Sequence, residues 1–254
     1  MSTSARTLLI GILGGFFGSL VGLGGAVVII PLLTGWARVT QHKAHVTSLV
    51  AVVFTGIVGA LSYARGGAVD LSLALAVAAA ATLSSIVAAA YSERVPAAVL
   101  RRIFGGLVVL TSLVLLVGIE FPGAGIEGTA RYVAGVGLGL VSGVLTGLLG
   151  IGGGAFVVPI LVLAFGLDQH LAQGTSLAVM IPAGIAGTLV HWRAGRLDFS
   201  LIWGLVAGVV LGAFLGGQFA LVLPERPLQI IFGVILVWMG LRYLGVKFGK
   251  PKAG

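Results

Sequence analysis

The chain contains no cysteine, and only 9% of its 254 residues are charged. The first absence excludes disulfides, thiolate nucleophiles and Cys-ligated metals. The second excludes a water-facing surface, because a soluble domain carries roughly 25% charged residues. Acidic residues are scarcest, with seven Asp and Glu against fifteen Lys and Arg. No Ser/His/Asp set, HExxH spacing, phosphate-binding loop or carboxylate pair stands out, so neither enzymatic catalysis nor a metal or cofactor is expected. What the chain does have is 58% hydrophobic residues, 42 glycines and a mean hydropathy of +1.17. Its solvent is therefore lipid. The net charge of +8 sits in short loops between apolar stretches, so it sets orientation in a membrane and does not make a nucleic-acid surface.

The sequence also repeats itself. Shifted by 128 positions, it overlays itself without a gap. Gly22-Leu23-Gly24-Gly25 falls on Gly150-Ile151-Gly152-Gly153, Pro31 on Pro159, and Gln41-His42 on Gln169-His170. Thr47-Ser48-Leu49 falls on Thr175-Ser176-Leu177, and Arg65, Gly67 and Asp70 fall on Arg193, Gly195 and Asp198. Roughly 30 of about 110 aligned positions are identical, the mark of an internal duplication. A duplicated, apolar chain is the sequence form of a transporter built around a central site.

Each half holds four apolar stretches, at 7–36, 44–63, 70–92 and 97–118, then at 135–166, 172–191, 199–222 and 227–245. About 20 residues cross a bilayer, so the last three of each set predict single helices. The first of each set is too long and carries a mid-way glycine cluster, with Pro31 or Pro159 further weakening a continuous helix. It predicts either a long tilted span or a broken, re-entrant hairpin. Charge decides between them. Full crossing makes the repeats parallel and puts nine Lys and Arg inside against six outside. A re-entrant hairpin makes the repeats inverted, with only Arg65, Arg131 and Arg226 outside and twelve basic residues inside. The expected fold is an all-α polytopic membrane protein of two inverted repeats, each a broken first segment plus three transmembrane helices. The repeats fall at 1–118 and 135–245, with a linker at 119–134, a basic tail at 246–254 and both termini cytoplasmic.

Four groups of residues are candidates for chemistry. The glycine clusters, with Gly24, Gly25, Gly152 and Gly153, either permit tight helix packing or free backbone N–H groups at half-helix N-termini to attract an anion. The pairs Thr47-Ser48 and Thr175-Ser176 open apolar spans; they read as helix caps or backbone-bonded hydroxyls, or as donors to a bound oxyanion. Of the four histidines, His42 and His170 are repeat-related, whereas His45 matches Gln173 and His191 matches Tyr63. The plain reading is interfacial or capping imidazoles; the sharper one is a proton-responsive gate at His45 and His191. Arg65 and Arg193 precede turns whose aspartates fit helix caps, or they form basic entrances for an anion. No buried carboxylate relay of the kind proton pumps use is evident.

At Val21-Gly22-Leu23-Gly24-Gly25 through Pro31, at its twin Leu149-Gly150-Ile151-Gly152-Gly153-Gly154 through Pro159, and at the two Thr-Ser-Leu segments, the chain resembles the sulfite exporter TauE/SafE family, also described as toluenesulfonate uptake permeases. The resemblance covers about residues 8–245. It implies a secondary transporter of sulfur-containing anions such as sulfite, sulfoacetate or other sulfonates in a bacterial cytoplasmic membrane, with protons as a coupling ion. On that reading Gly24, Gly25, Thr47, Ser48, Gly152, Gly153, Thr175 and Ser176 bind substrate, and His45, Arg65, His191 and Arg193 form an entrance or gate. The partners expected are a small anion, membrane lipid and a second copy of the chain, with no nucleic acid.

Overall fold

The computed structural model describes residues 3–90, 97–118, 125–149 and 153–245. These form ten helices and, among the described residues, no strand: α1 Thr3–Val21, α2 Ala26–Gly35, α3 Gln41–Arg65, α4 Leu71–Ala90, α5 Ala97–Val117, α6 Gly128–Leu149, α7 Gly154–Leu163, α8 Gln169–Arg193, α9 Phe199–Val222 and α10 Glu225–Tyr243. Six of them, α1, α3, α4, α6, α8 and α9, are long and apolar enough to cross a membrane. Most start or end positions recur after 128 residues; α3 and α8 match at both ends, as do α2 and α7. Helix α6 begins at Gly128, inside the stretch expected to be linker. Residues 119–124 of that linker and the tail at 246–254 lie outside the described residues.

The first segment of the chain is a hairpin. Gly22, Gly24 and Gly25 all take positive φ, at 71, 74 and 81°, which other residues rarely adopt. They turn α2 back along α1: a Cβ on Gly18 would lie 2.6 Å from Gly25 Cα, and one on Gly14 would lie 2.8 Å from Ile29 Cδ1. The glycine corner makes this break, whereas Pro31 and Pro159 are accommodated inside α2 and α7. Each of these helices has only ten residues, about 15 Å of rise, which is half a bilayer.

Glycine also sets the closest helix contacts. On α9, Gly204, Gly208, Gly212 and Gly216 lie against Thr7, Leu8, Ile12 and Phe16 of α1 in rising order, so these helices run parallel. A Cβ on Gly212 would sit 2.8–2.9 Å from the Ile12 backbone, so the two backbones touch directly, as small residues allow in membranes. Helices α4 and α6 meet in the same way, through Gly135, Gly139 and Gly143 on α6. Gly139 and Gly143 stand 128 positions after Gly11 and Gly15, which pack against α9.

The centre is the pair α3 and α8. Tyr63 meets Gln173, Gly59 meets Leu177, Gly56 meets Ile181, Val53 meets Gly184 and Leu49 meets Gly187. One number rises as the other falls, so the helices are antiparallel from end to end.

Candidate functional site

The glycine corner runs from near the Tyr63–Gln173 end of this pair, where a Cβ on Gly22 would lie 3.0 Å from Gln173 Cα, to its middle. A Cβ on Gly24 would lie 3.0 Å from Met180 Sδ and 3.1 Å from Val52 Cγ1. Val52 and Met180 are themselves 128 positions apart, near the middles of α3 and α8. Gly154, the first residue of α7, touches the same place: its Cβ would collide with Met180 Cε and lie 2.7 Å from Gly22 O. The N-termini of α2 and α7 therefore approach one locus, lined by Ala26, Val52 and Met180. Neither terminus has a side-chain cap. An uncapped helix N-terminus in a low-dielectric interior presents N–H groups and a partial positive charge to an anion.

The expected site residues divide. Gly24 and Gly25 form the corner and leave no room for side chains, since a Cβ on Gly25 would overlap Gly14 O. Gly153 precedes α7 and faces Thr146 Oγ1 of α6, where its Cβ would lie 3.2 Å away. Gly152 lies outside the described residues. All four hydroxyl residues are buried. Thr47 Oγ1 has no partner, Ser48 Oγ donates to His45 O at 2.7 Å, and Ser176 Oγ donates to Gly22 O at 3.1 Å. Thr175 Oγ1 accepts from the Asp70 amide at 3.0 Å. None of them caps a helix start. That position belongs to Thr40 in α3 and to Asp168 in α8, whose carboxylate accepts from Leu171 N. Ser176 thus ties α8 to the glycine corner, and Thr47 keeps a hydroxyl to offer.

Arg65 and Arg193 end α3 and α8 and are exposed at opposite ends of the antiparallel pair. Each is followed by an aspartate that caps the next helix. Asp70 accepts from Leu73 N at 2.9 Å and pairs with Arg131 at 2.6 Å; Asp198 accepts from Ser200 N and pairs with Lys43 at 3.2 Å. Burial acts to raise the Asp70 pKa, but the hydrogen bonds from Leu73 and Ser72 and the Arg131 charge outweigh it and hold it below the usual value. The hydrogen bonds from Ser200 and Lys43 lower that of Asp198. His170 is a capping imidazole, its Nε2 lying 3.1 Å from both Ala220 O and Leu223 O at the end of α9.

Sequence reasoning missed one cluster. Tyr63 Oη donates to Gln173 Oε1 at 2.7 Å and lies 3.3 Å from Ser19 O. Tyr63, Gln173 and Ser19 are all 0% exposed, and Ser19 Oγ and Gln173 Nε2 have no partner. Gln169 is equally buried at the start of α8, where its backbone N–H donates to Glu225 Oε1 and its side-chain amide has no partner among the described residues. The polar side chains Tyr63, Gln173 and Gln169 at this end of the α3–α8 pair are thus fully buried. At the other end, Gln41 is exposed, and His45 and His191 are half-buried. The signal lay in the mismatch between the repeats, since Tyr63 replaces a histidine and Gln173 replaces another.

Comparison with known proteins agrees with this architecture. The family described as "Sulfite exporter TauE/SafE" matches residues 7–243. "Probable membrane transporter protein YdhB" of Bacillus subtilis (strain 168) is 30% identical over 225 residues, covering 87% of this chain and 90% of that protein. "Probable membrane transporter protein YunE" of the same organism is 28% identical over 261 residues, covering 93% and 96%. "Sulfite exporter TauE/SafE family protein 5" of Arabidopsis thaliana is 32% identical over 126 residues, covering 48% of this chain and 28% of that protein. No solved structure matches significantly. The chain belongs to the sulfite exporter TauE/SafE family of membrane transporters.

Proposed function

We propose that the protein is a secondary transporter that moves a small sulfur-containing oxyanion, such as sulfite, sulfoacetate or another sulfonate, by alternating access. The observation that carries this reading is the approach of two uncapped half-helix N-termini, α2 and α7, to one locus at mid-depth. An anion held there replaces its hydration shell with backbone N–H groups and helix-end charge. Gly24, Gly25, Gly152 and Gly153 shape the site, and Thr47, Ser48, Thr175 and Ser176 supply or orient hydroxyls. The antiparallel α3–α8 pair supports inverted repeats. The difference between its ends, sealed at Tyr63–Gln173 and half-open at His45–His191, is what one state of an alternating-access cycle requires. A passive channel would leave a continuous path, which the buried Tyr63–Gln173 bond opposes.

Charge orients the molecule. Arg65, Arg131 and Arg226 share the sealed end with Tyr63, whereas Arg6, Arg38, Lys43, Arg193 and Arg196 lie at the other. The positive-inside rule makes the half-open end cytoplasmic, with both termini on that side of a bacterial inner membrane.

The test is flux in liposomes containing the purified protein. Sulfite, sulfoacetate and an aryl sulfonate are each offered with and without an imposed pH gradient, with chloride and acetate as controls. Gradient-driven accumulation of a sulfur oxyanion is expected. Flux that only dissipates gradients identifies a channel, and no flux of any anion from folded protein removes the reading.

A further inference from the structure

The two ends of the α3–α8 pair are built on one register with different residues. Tyr63–Gln173, Gly59–Leu177 and Leu49–Gly187 each have numbers summing to 236, and Gly56–Ile181 and Val53–Gly184 differ from that by one. Extended by one further turn, the same register gives His45 and His191 matching positions on α3 and α8, with numbers again summing to 236. These two are the repeat counterparts of Gln173 and Tyr63, so the position that seals one end with a phenol and an amide carries two imidazoles at the other. A Tyr–Gln pair has no charge to gain between pH 5 and 8, whereas an imidazole titrates near 6.5 in water. Two neutral imidazoles can share an N–H···N bond, but two imidazolium ions only donate and repel.

We infer that His45 and His191 form the cytoplasmic gate, the counterpart of the Tyr63–Gln173 seal, and that protons bound by the pair hold this gate open. The inference rests on the alternating-access reading for its meaning in transport. Charged groups around the pair come from every neighbouring element. They are Arg6 on α1, Arg38 between α2 and α3, Lys43 on α3, Arg193 at the end of α8, Arg196 in the following turn, and Asp198 at the start of α9. His42 lies on the same turn as His45, and Glu93 and Arg94 lie outside the described residues. Asp198 keeps its charge across the imidazole range, because hydrogen bonds from Ser200 and Lys43 lower its pKa. The fixed charges named at this end are therefore five cations, one of them paired with Asp198. Protonating both gate imidazoles adds repulsion at the one place where α3 and α8 must meet to close.

The absence of native cysteine makes the test direct. Nitroxides attached to Gln41→Cys and Ala194→Cys, both exposed positions at this end, report its opening in the full chain in lipid nanodiscs. The distance between them is expected to lengthen as pH falls from about 8 to about 5.5, with a midpoint in the imidazole range. A second pair at the sealed end, Ala64→Cys and Leu171→Cys, is expected to stay unchanged. Grafting the seal onto the gate, as His45→Gln with His191→Tyr, is expected to abolish the shift while leaving His42 in place. A native distance independent of pH overturns the inference, and so does a shift that survives the double substitution. If the double variant does not fold, the native titration and His45→Gln alone decide. No substrate is needed, so a pH-dependent gate without anion flux defeats the transport reading and spares the gate. Anion flux with a pH-independent distance does the reverse.

Discussion

Replacing Tyr63 by phenylalanine removes one oxygen and keeps the ring packing, so it isolates what the seal contributes. In the sealed end the hydroxyl donates to Gln173 Oε1 at 2.7 Å, and both side chains are fully buried. Gln173 Nε2 already has no partner, so Tyr63→Phe leaves the whole amide group unsatisfied in a dry place. An unsatisfied buried polar group costs about 1–3 kcal/mol. When this end opens, water satisfies the amide, so the cost falls on the sealed state alone. The equilibrium between sealed and open should move by roughly 5- to 150-fold toward open. Ser19→Cys provides the reporter: Ser19 is 0% exposed, its carbonyl lies at the seal, and no other cysteine competes. Labelling of that cysteine by a membrane-impermeant maleimide, applied from the outer side at fixed pH, should accelerate by the same factor in Tyr63→Phe. An unchanged labelling rate in folded protein would refute the idea that this bond holds the end shut.

The glycines separate packing from backbone strain. Gly24→Ala should abolish anion flux, because its φ of 74° alone costs about 1–2 kcal/mol and the added Cβ presses on Met180 and Val52. Gly67→Ala carries the same strain at φ 71° but faces open space, so it should lower thermal stability slightly and leave flux intact. Gly208→Leu should prevent folding, since even a Cβ there overlaps Leu8 O and lies 2.8 Å from Ile12 N. Gly106→Ala, with nothing within 4 Å, should be neutral or up to about 1 kcal/mol stabilising. Asp70, whose folded pKa is lowered, contributes stability that is present above the unfolded value of about 3.9 and lost as pH falls through the folded value. Thermal unfolding of Asp70→Asn should therefore show a shallower acid limb than the native protein, and an identical limb would show that the Asp70 charge, with its hydrogen bonds and its Arg131 pair together, contributes nothing.

The sequence made the architecture legible because a membrane imposes simple rules. Apolar length marked where helices fall, and the glycine cluster at Gly22–Gly25 marked the break, since three glycines within four residues all take positive φ there. Pro31 misled for the same reason that proline often does in lipid: a ten-residue helix tolerates it once the chain has already turned. Side-chain roles were far less legible. Thr47 and Thr175 are identical in type and repeat position, yet one has a partnerless hydroxyl and the other accepts from Asp70 N. A pairwise duplication cannot report that difference, because it depends on what each copy packs against. What does carry the information is where the copies diverge. Shape-determining residues are retained across the 128-residue offset, as in Gly11 with Gly139 and Gly15 with Gly143, because both copies must pack α1-type against α4-type helices. Residues that must behave differently on the two sides of a membrane cannot be retained. Tyr63 against His191 and Gln173 against His45 are positions where the copies diverge, the first of each pair fully buried and the second half-buried at the other end of the helix pair, and on the proposed reading they are such residues. In a duplicated chain the matched residues therefore describe what the two halves share, the scaffold and the proposed central site alike, and the mismatched polar ones at symmetric positions are where the two sides of a membrane can be told apart.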